Sequence, residues 1–275
     1  MQKLSIRKRS VAIGGLGAIG SKVAISLLKN RIPNLTLNAV SSRNIKKAQN
    51  ILGDHLSKIN FLPISELGNV ADIVIECLPS KFFNEIAIPT IEKGSTLIVL
   101  SSGALLNNSK LLKKARQTGS KIIVPSGAIL ALDAIKAANE GKIYSVKITT
   151  RKPPQSLEGA PFIQERGLNL KNLTKPLKIF EGKVKEAINH FPANVNVAAS
   201  VSLAGIGPNK TMIEIWADPL INRNTQSVKV ESDCSNFSMS IETIPDSNNP
   251  RTGKLTYLSV LATLKRLSNF LIIGT

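Results

Sequence analysis

Aromatic residues are scarce in this chain, 4% of 275 residues, with one Trp, two Tyr and eight Phe. Single-stranded nucleic acid is held on stacked aromatic rings, and so few platforms argue against it as a primary partner. Cysteine is scarcer still. Cys77 and Cys234 lie far apart, form no metal-ligand cluster, and read as two inert thiols suited to a reducing compartment. Histidine is limited to His55 and His190, and neither a metal cluster nor a Ser/His/Asp arrangement is visible. No apolar run approaches the roughly 18 residues that cross a bilayer. The basic start, MQKLSIRKRSVAIGGLG, opens as a signal peptide does. Its apolar stretch, though, spans only Val11 to Ile13 before glycines interrupt it, and no small-residue cleavage pattern follows. A cytoplasmic protein is expected.

Acidic side chains are half as numerous as basic ones, 18 Asp and Glu against 36 Lys and Arg, for a formal charge of +18. A balance this basic raises nucleic acid as a partner. The basic residues are scattered, however. The stretch NVNVAASVSLAGIGP carries none, and denser runs such as Lys113, Lys114 and Arg116 are short. Attraction of small anions, a dinucleotide phosphate or a dicarboxylate, uses the same charge, so neither nucleic acid nor membrane is expected as a partner.

Hydrophobic content of 43% with 20% charged residues is that of a globular chain. Its first half alternates short apolar runs with helical segments, the pattern of a parallel sheet with crossover helices. Strands are expected at Ser10–Ile13, Leu35–Val40, Ala71–Cys77, Thr96–Leu100 and Lys121–Val124. Helices are expected over Ala18–Asn30 and Lys46–Leu52, and from an Asn108-Ser109 cap to Gly119. After Pro125 strand-like segments crowd together, at 144–150, 212–216, 228–231 and 237–242. They are broken by turns such as Lys152-Pro153-Pro154 and Pro245-Asp246-Ser247-Asn248, with helices near 183–190 and 195–203. The fold class expected is α/β: a doubly wound parallel sheet over 1–125 and an α+β substrate and oligomerisation domain, mostly antiparallel, over 126–245. A C-terminal segment, 246–275, returns to the first domain through a helix over Leu255–Leu271. That helix has an apolar stripe of Val260, Leu264, Leu267 and Leu271 set against Ser259, Arg266 and Asn269.

Gly15-Leu16-Gly17-Ala18-Ile19-Gly20 is a GxGxxG, a weak signal alone. Here it follows a strand and opens a helix inside a βαβ unit, the context that the motif requires. Gly15 permits the tight turn, Gly17 lets backbone approach a pyrophosphate, and Gly20 allows close helix packing, while helix N–H groups face the anion. The first domain is therefore expected to be Rossmann-type. An NAD-selective site usually holds an acidic residue about twenty residues on, at the end of the second strand. This chain has Ser41-Ser42-Arg43 instead. Hydroxyls and a guanidinium suit a 2′-phosphate, so NADP is favoured with NAD also possible. The alternative is that Arg43 simply points into solvent.

Longer strings accompany the glycine loop: Glu76-Cys77-Leu78-Pro79, Leu100-Ser101-Ser102-Gly103-Ala104-Leu105, Pro125-Ser126-Gly127-Ala128-Ile129 and Thr150-Arg151-Lys152-Pro153-Pro154. Phe191-Pro192-Ala193-Asn194-Val195-Asn196-Val197-Ala198-Ala199, Ala217-Asp218-Pro219 and Asn249-Pro250-Arg251-Thr252-Gly253 follow. Together they resemble the L-aspartate dehydrogenase family over nearly the whole chain, and NVNVAA is far more specific than the glycine loop. The resemblance implies NAD(P)-dependent oxidation of L-aspartate to iminoaspartate, or the reverse, feeding NAD biosynthesis, in a homodimer or homotetramer. It further implies cofactor contacts at Cys77 and Leu78 and, near the nicotinamide, at Ala128 and Asn196, although Asn196 could instead cap a helix.

One departure stands out. The family's catalytic histidine falls in a segment resembling Asp-Pro-x-x-x-x-Asn-x-His, where this chain runs from Asp218 to Gln226. Glutamine can orient a water or an amine but exchanges no proton near neutral pH. Arg151 and Lys152, leaving a strand end into a Pro-Pro loop, are candidates to grip a dicarboxylate, with a solvated turn as the alternative. The sequence is therefore read as an aspartate dehydrogenase, with a dehydrogenase for another amino acid or a catalytically weakened dinucleotide-binding protein as rival readings.

Overall fold

A computed structural model describes residues 7–192, 195–246 and 249–274, and the chain divides into two compact units. The first comprises residues up to Pro125 together with Tyr257–Ile272, and the second Ser126–Thr256 with the last residues. Expected features at Ala193 and Asn194 of the NVNVAA string, and at Ser247 and Asn248 of the turn, lie outside the described residues.

Six parallel strands form the sheet of the first unit: β1 (Arg9–Gly14), β2 (Leu35–Ser41), β3 (Asn60–Phe61), β4 (Ile73–Glu76), β5 (Thr96–Val99) and β6 (Ile122–Ile123). Their spatial order, β3-β2-β1-β4-β5-β6, is that of a doubly wound dinucleotide-binding fold, reversing direction between β1 and β4. Helices α1 (Gly20–Leu28), α2 (Ile45–Leu52), α3 (Leu67–Val70), α4 (Phe83–Glu92), α5 (Ser102–Leu106) and α6 (Ser109–Thr118) connect them.

The strands are apolar throughout because both faces are covered. Val11, Ile13, Ile73 and Ile75 pack with Val23 and Leu27 of α1 on one side. Ala12, Val74, Leu97 and Val99 pack with Phe83, Ile86 and Ile91 of α4 on the other. The cap of α6 is as expected: the Asn108 side chain accepts from the Leu111 N–H, and Gly119 ends the helix with φ 72°. Helix α4 was not foreseen, since Pro89 lies inside it and proline reads as a breaker. It packs against α3 where Gly68 leaves no room for a side chain, a Cβ there lying 2.8 Å from Thr90 Cα.

The sheet of the second unit, in the order β11-β10-β7-β9-β8, has five strands. They are β7 (Ile143–Lys152), β8 (Leu177–Lys183), β9 (Met212–Ala217), β10 (Asn224–Ser232) and β11 (Asn236–Thr243). All pairs are antiparallel except β7 with β9. Helices α7 (Leu132–Ala138), α8 (Pro161–Glu165), α9 (Val184–His190) and α10 (Asn196–Ala204) belong to this unit. Strand β8 and helices α7 and α8 went unseen in the sequence, being short and only weakly periodic.

The last helix, α11 (Lys254–Ser268), returns to the first sheet, with Val260 and Leu264 fully buried beside Val11 and Ile13. The expected stripe needs two corrections. Leu271 lies beyond the helix end and is 74% exposed, and Ser259, expected on the polar face, is buried with its carbonyl accepting from the Thr263 hydroxyl.

Candidate active site

The glycine loop joins β1 to α1 at the point where the strand order reverses. Gly15 has φ +96°, and a Cβ there would lie 2.6 Å from the Cys77 carbonyl oxygen. A Cβ on Gly20 would meet the Gly15 carbonyl oxygen at 1.9 Å, so only glycine lets α1 start this close to the loop. Around Gly17, by contrast, nothing lies within 4 Å of a hypothetical Cβ. Two glycines are thus required by the protein's own packing. The third borders open space, where a phosphate can meet bare backbone. Ala18 and Ile19 lead into α1 directly behind it.

A groove of about 500 Å³ runs along this loop, walled by Gly15, Leu16 and Gly17, by Ser41 to Asn44, and by Cys77, Leu78 and Pro79. Pro63, Ile64, Phe82 and Glu85 complete it. Arg43 is exposed but not loose, its guanidinium stacking over the Phe82 ring at 5.6 Å. A dinucleotide fits this cradle: bare backbone for the pyrophosphate, and a cation with neighbouring hydroxyls at the end of β2.

Beneath the groove lies a carboxylate that sequence reasoning passed over. Glu76, fully buried, accepts from the backbone N–H groups of Leu78 (3.0 Å), Leu100 (3.1 Å) and Ser101 (2.8 Å), and from the Ser101 hydroxyl (3.0 Å). It thereby ties together the chain leaving β4 and the chain leaving β5. Burial raises its pKa, outweighing those four donors. The signal in the sequence was a lone carboxylate in the apolar run Ala71-Asp72-Ile73-Val74-Ile75-Glu76-Cys77. Burial, and secondarily Glu76, push the Cys77 thiol well above its usual range, which keeps it inert.

In the second unit, Gly127 (φ +64°) and Ala128 form the turn after Pro125, in which the Ile129 N–H donates to the Ser126 carbonyl. Asn196 is the first residue of α10, and Val195 occupies the cap position, so the helix-cap alternative does not hold for Asn196. Its carbonyl accepts from the Ser200 hydroxyl.

Gln226 lies on β10, 4% exposed, accepting a 2.6 Å hydrogen bond from the Thr150 hydroxyl, its register partner on β7. Strand alternation separates the two cations expected to act together. Arg151 lies on the opposite face from Gln226, bonded to Asp218 at 3.2 Å and stacked on Trp216 at 4.8 Å. Lys152 shares the face of Thr150 and Gln226 and is buried, 7% exposed, so a solvated turn does not describe it. Burial lowers its pKa to about 8.

Next to Lys152 on that face is Asn224, whose Oδ1 is buried with no hydrogen-bond partner. The hydroxyl of Thr243, Asn224's register partner, is likewise unpartnered. Neither residue was singled out from the sequence, because two orphaned oxygens become visible only once β10 and β11 are paired. Both histidines sit elsewhere: His55 is exposed after α2, and His190 packs on Phe162 with ring centroids 5.2 Å apart.

Residues 133–267 match the family profile described as aspartate dehydrogenase, C-terminal, and residues 15–125 that of the homoserine dehydrogenase NAD binding domain. The L-aspartate dehydrogenase of Bradyrhizobium diazoefficiens is 48% identical over 265 residues, covering 96% of this chain and 94% of that protein. L-aspartate dehydrogenase 3 of Bordetella bronchiseptica is 44% identical over 265 residues, covering 96% and 97%. The chain belongs to the L-aspartate dehydrogenase family. The crystal structure of the Thermotoga maritima family member, aspartate dehydrogenase, superposes with a TM-score of 0.72 at 26% identity, over 97% of this chain and 99% of that one. As a member of this family the chain is an oxidoreductase that uses NAD or NADP.

Proposed function

We propose that this chain oxidises L-aspartate to iminoaspartate with NADP or NAD, or runs the reverse reduction. The reading is carried by the end-to-end similarity to proteins named for that activity, at 48% identity across both units. A bound nicotinamide would supply the acceptor for the hydride that leaves the substrate's α-carbon. The protein's part is to hold substrate and cofactor, keep out water and move a proton. Gly15, Gly17, Ala18, Ile19 and Gly20 receive the pyrophosphate, and Ser42 and Arg43 the 2′ end of the ribose. Cys77 and Leu78 would contact the cofactor from the wall of the same groove, and Ala128 and Asn196 are the positions that the family resemblance assigns to the nicotinamide end. Gln226, fixed by Thr150, orients the substrate's amine, and Lys152 meets the same molecule from the neighbouring strand.

Assays with aspartate, and with oxaloacetate plus ammonia, test the activity. Absence of turnover in both directions, with cofactor still bound, would favour the second reading: a weakened dinucleotide-binding protein, motivated by Gln226 at the histidine position. Arg43 and its serines favour NADP at least as strongly as NAD. A clear NAD preference that survives Arg43→Ala overturns that part. The homodimer or homotetramer expected from the family is tested by sedimentation.

A further inference from the structure

We propose that Lys152 is the group that exchanges the substrate's proton in this chain, in place of the histidine that Gln226 has displaced. The inference rests on the aspartate-oxidation reading above and deepens it.

The geometry is a cluster on one face of the second sheet. Thr150 and Lys152 are two residues apart on β7 and so share a face, and Gln226 pairs with Thr150 across the strand boundary. Asn224 precedes the Thr225–Arg151 pair, which brings it level with Lys152 on that face. A buried ammonium ordinarily has a carboxylate partner. Lys152 has none: no hydrogen bond or ion pair joins its Nζ to a described residue.

Of the charges on the neighbouring elements, Asp218 bonds Arg151 on the opposite face, and Glu158 and Lys171 line the cavity that Pro153 and Asn224 also line, neither of them bonded to Lys152. Ala217 and Asn224, at Lys152's level on the adjoining strands, do not ionise. Burial alone therefore lowers the pKa of this amine to about 8, where it gains and loses a proton near neutral pH. Asn224 Oδ1, lacking a donor, suits the substrate's α-ammonium. The oxygen itself is buried, while Asn224 as a residue lines, with Pro153, Pro154 and Glu158, a cavity of about 740 Å³.

The balance of the step is simple. The α-ammonium gives one proton to neutral Lys152, and the resulting amine nitrogen forms the C=N bond. The α C–H bond would break with its electron pair and hydrogen leaving as hydride, the oxidised NAD or NADP that the activity requires being the acceptor. Lys152 then releases the proton to water, leaving imino acid, reduced cofactor and one proton.

Oxidation rates measured on the full chain between about pH 6 and pH 10 test this, alongside calorimetric binding of succinate, a dicarboxylate with no amine to oxidise. In the wild type, kcat should rise with pH and level off above about 8. Lys152→Arg keeps the positive charge but cannot release a proton here. It should hold succinate affinity within about threefold while kcat falls about 10²-fold or more and the pH limb disappears. Adding Gln226→His to that variant should recover rate, with a new limb in the histidine range.

A Lys152→Arg variant with wild-type kcat and pH profile overturns the proposal. So does one that loses succinate binding while keeping kcat at saturation, which would make Lys152 a carboxylate anchor. Should that variant not fold, trace acetylation of wild-type Lys152 followed by mass spectrometry decides. Half-maximal reactivity near 8 supports the proposal, and reactivity appearing only near the ordinary value of 10.5 overturns it. A wild type inert in both directions removes the activity itself and this inference with it. An active wild type with either contrary Lys152→Arg result overturns the inference alone.

Discussion

Glycine can be demanded by the protein or by its ligand, and the loop after β1 holds both kinds. Gly20→Ala drives a Cβ to 1.9 Å from backbone oxygen, so the loop or α1 must shift. A stability loss of about 1–3 kcal/mol is expected, with cofactor affinity falling as well. Gly17→Ala meets no protein atom within 4 Å, so its melting temperature should stay near wild type while cofactor affinity drops. Thermal melts set beside fluorescence titrations separate the two; a Gly17→Ala protein that binds as tightly as wild type would remove the pyrophosphate from that spot.

Lys152 makes an opposite-signed prediction. Its folded pKa, about 8, lies below its ordinary 10.5, so the stability it lends is fully present above 10.5 and is lost as pH falls through 8. Lys152→Met should therefore gain roughly 3 kcal/mol at pH 7, and the gain should shrink between pH 8 and 10.5 in denaturant titrations. Because Lys152 already exchanges the proton, Gln226→His alone should change aspartate turnover by no more than a few-fold at about pH 8 and above, with little change in cofactor affinity; a change in KM alone would mean the residue only binds.

Secondary-structure elements place these groups by periodicity. A strand sends alternate side chains to opposite faces, which is why Arg151 and Lys152, adjacent and alike in charge, end up with different work. A helix returning from the end of the chain closes the first sheet. Val260 and Leu264 of α11 are fully buried there. Leu264→Ala should cost about 2–5 kcal/mol and lower the first unit's stability, read as a drop in the temperature at which bound cofactor fluorescence is lost. A melting temperature unchanged within about one degree would mean that α11 merely lies on the surface. Phe83, Ile86 and Ile91 show that α4 is as integral as α11, although its proline hid it from periodicity.

Charge acts across the molecule rather than at one site. With a formal +18, the chain is expected to draw an anionic cofactor and the proposed dicarboxylate substrate from solution, an attraction screened beyond about 8–10 Å at physiological salt. Raising potassium chloride from about 50 to 500 mM should lower kcat/KM several-fold while leaving kcat nearly unchanged. A kcat/KM insensitive to salt would mean the positive charge serves something else.

Order along the chain sufficed for five of the parallel sheet's six strands, the two-residue β3 being too short to read, and for the glycine loop and most of the second unit's strands. Apolar runs, caps and glycines act on neighbours a few residues away, and that information is local. The family strings were legible for the same reason. Pairing was not local. Which oxygens are orphaned at Asn224 and Thr243, why Glu76 can be buried, and that Lys152 rather than Arg151 stands beside Gln226 all depend on strands from distant parts of the chain. Only when β7, β9, β10 and β11 lie side by side does water leave that face, and loss of water is what turns an ordinary lysine into a group that can trade a proton near neutral pH.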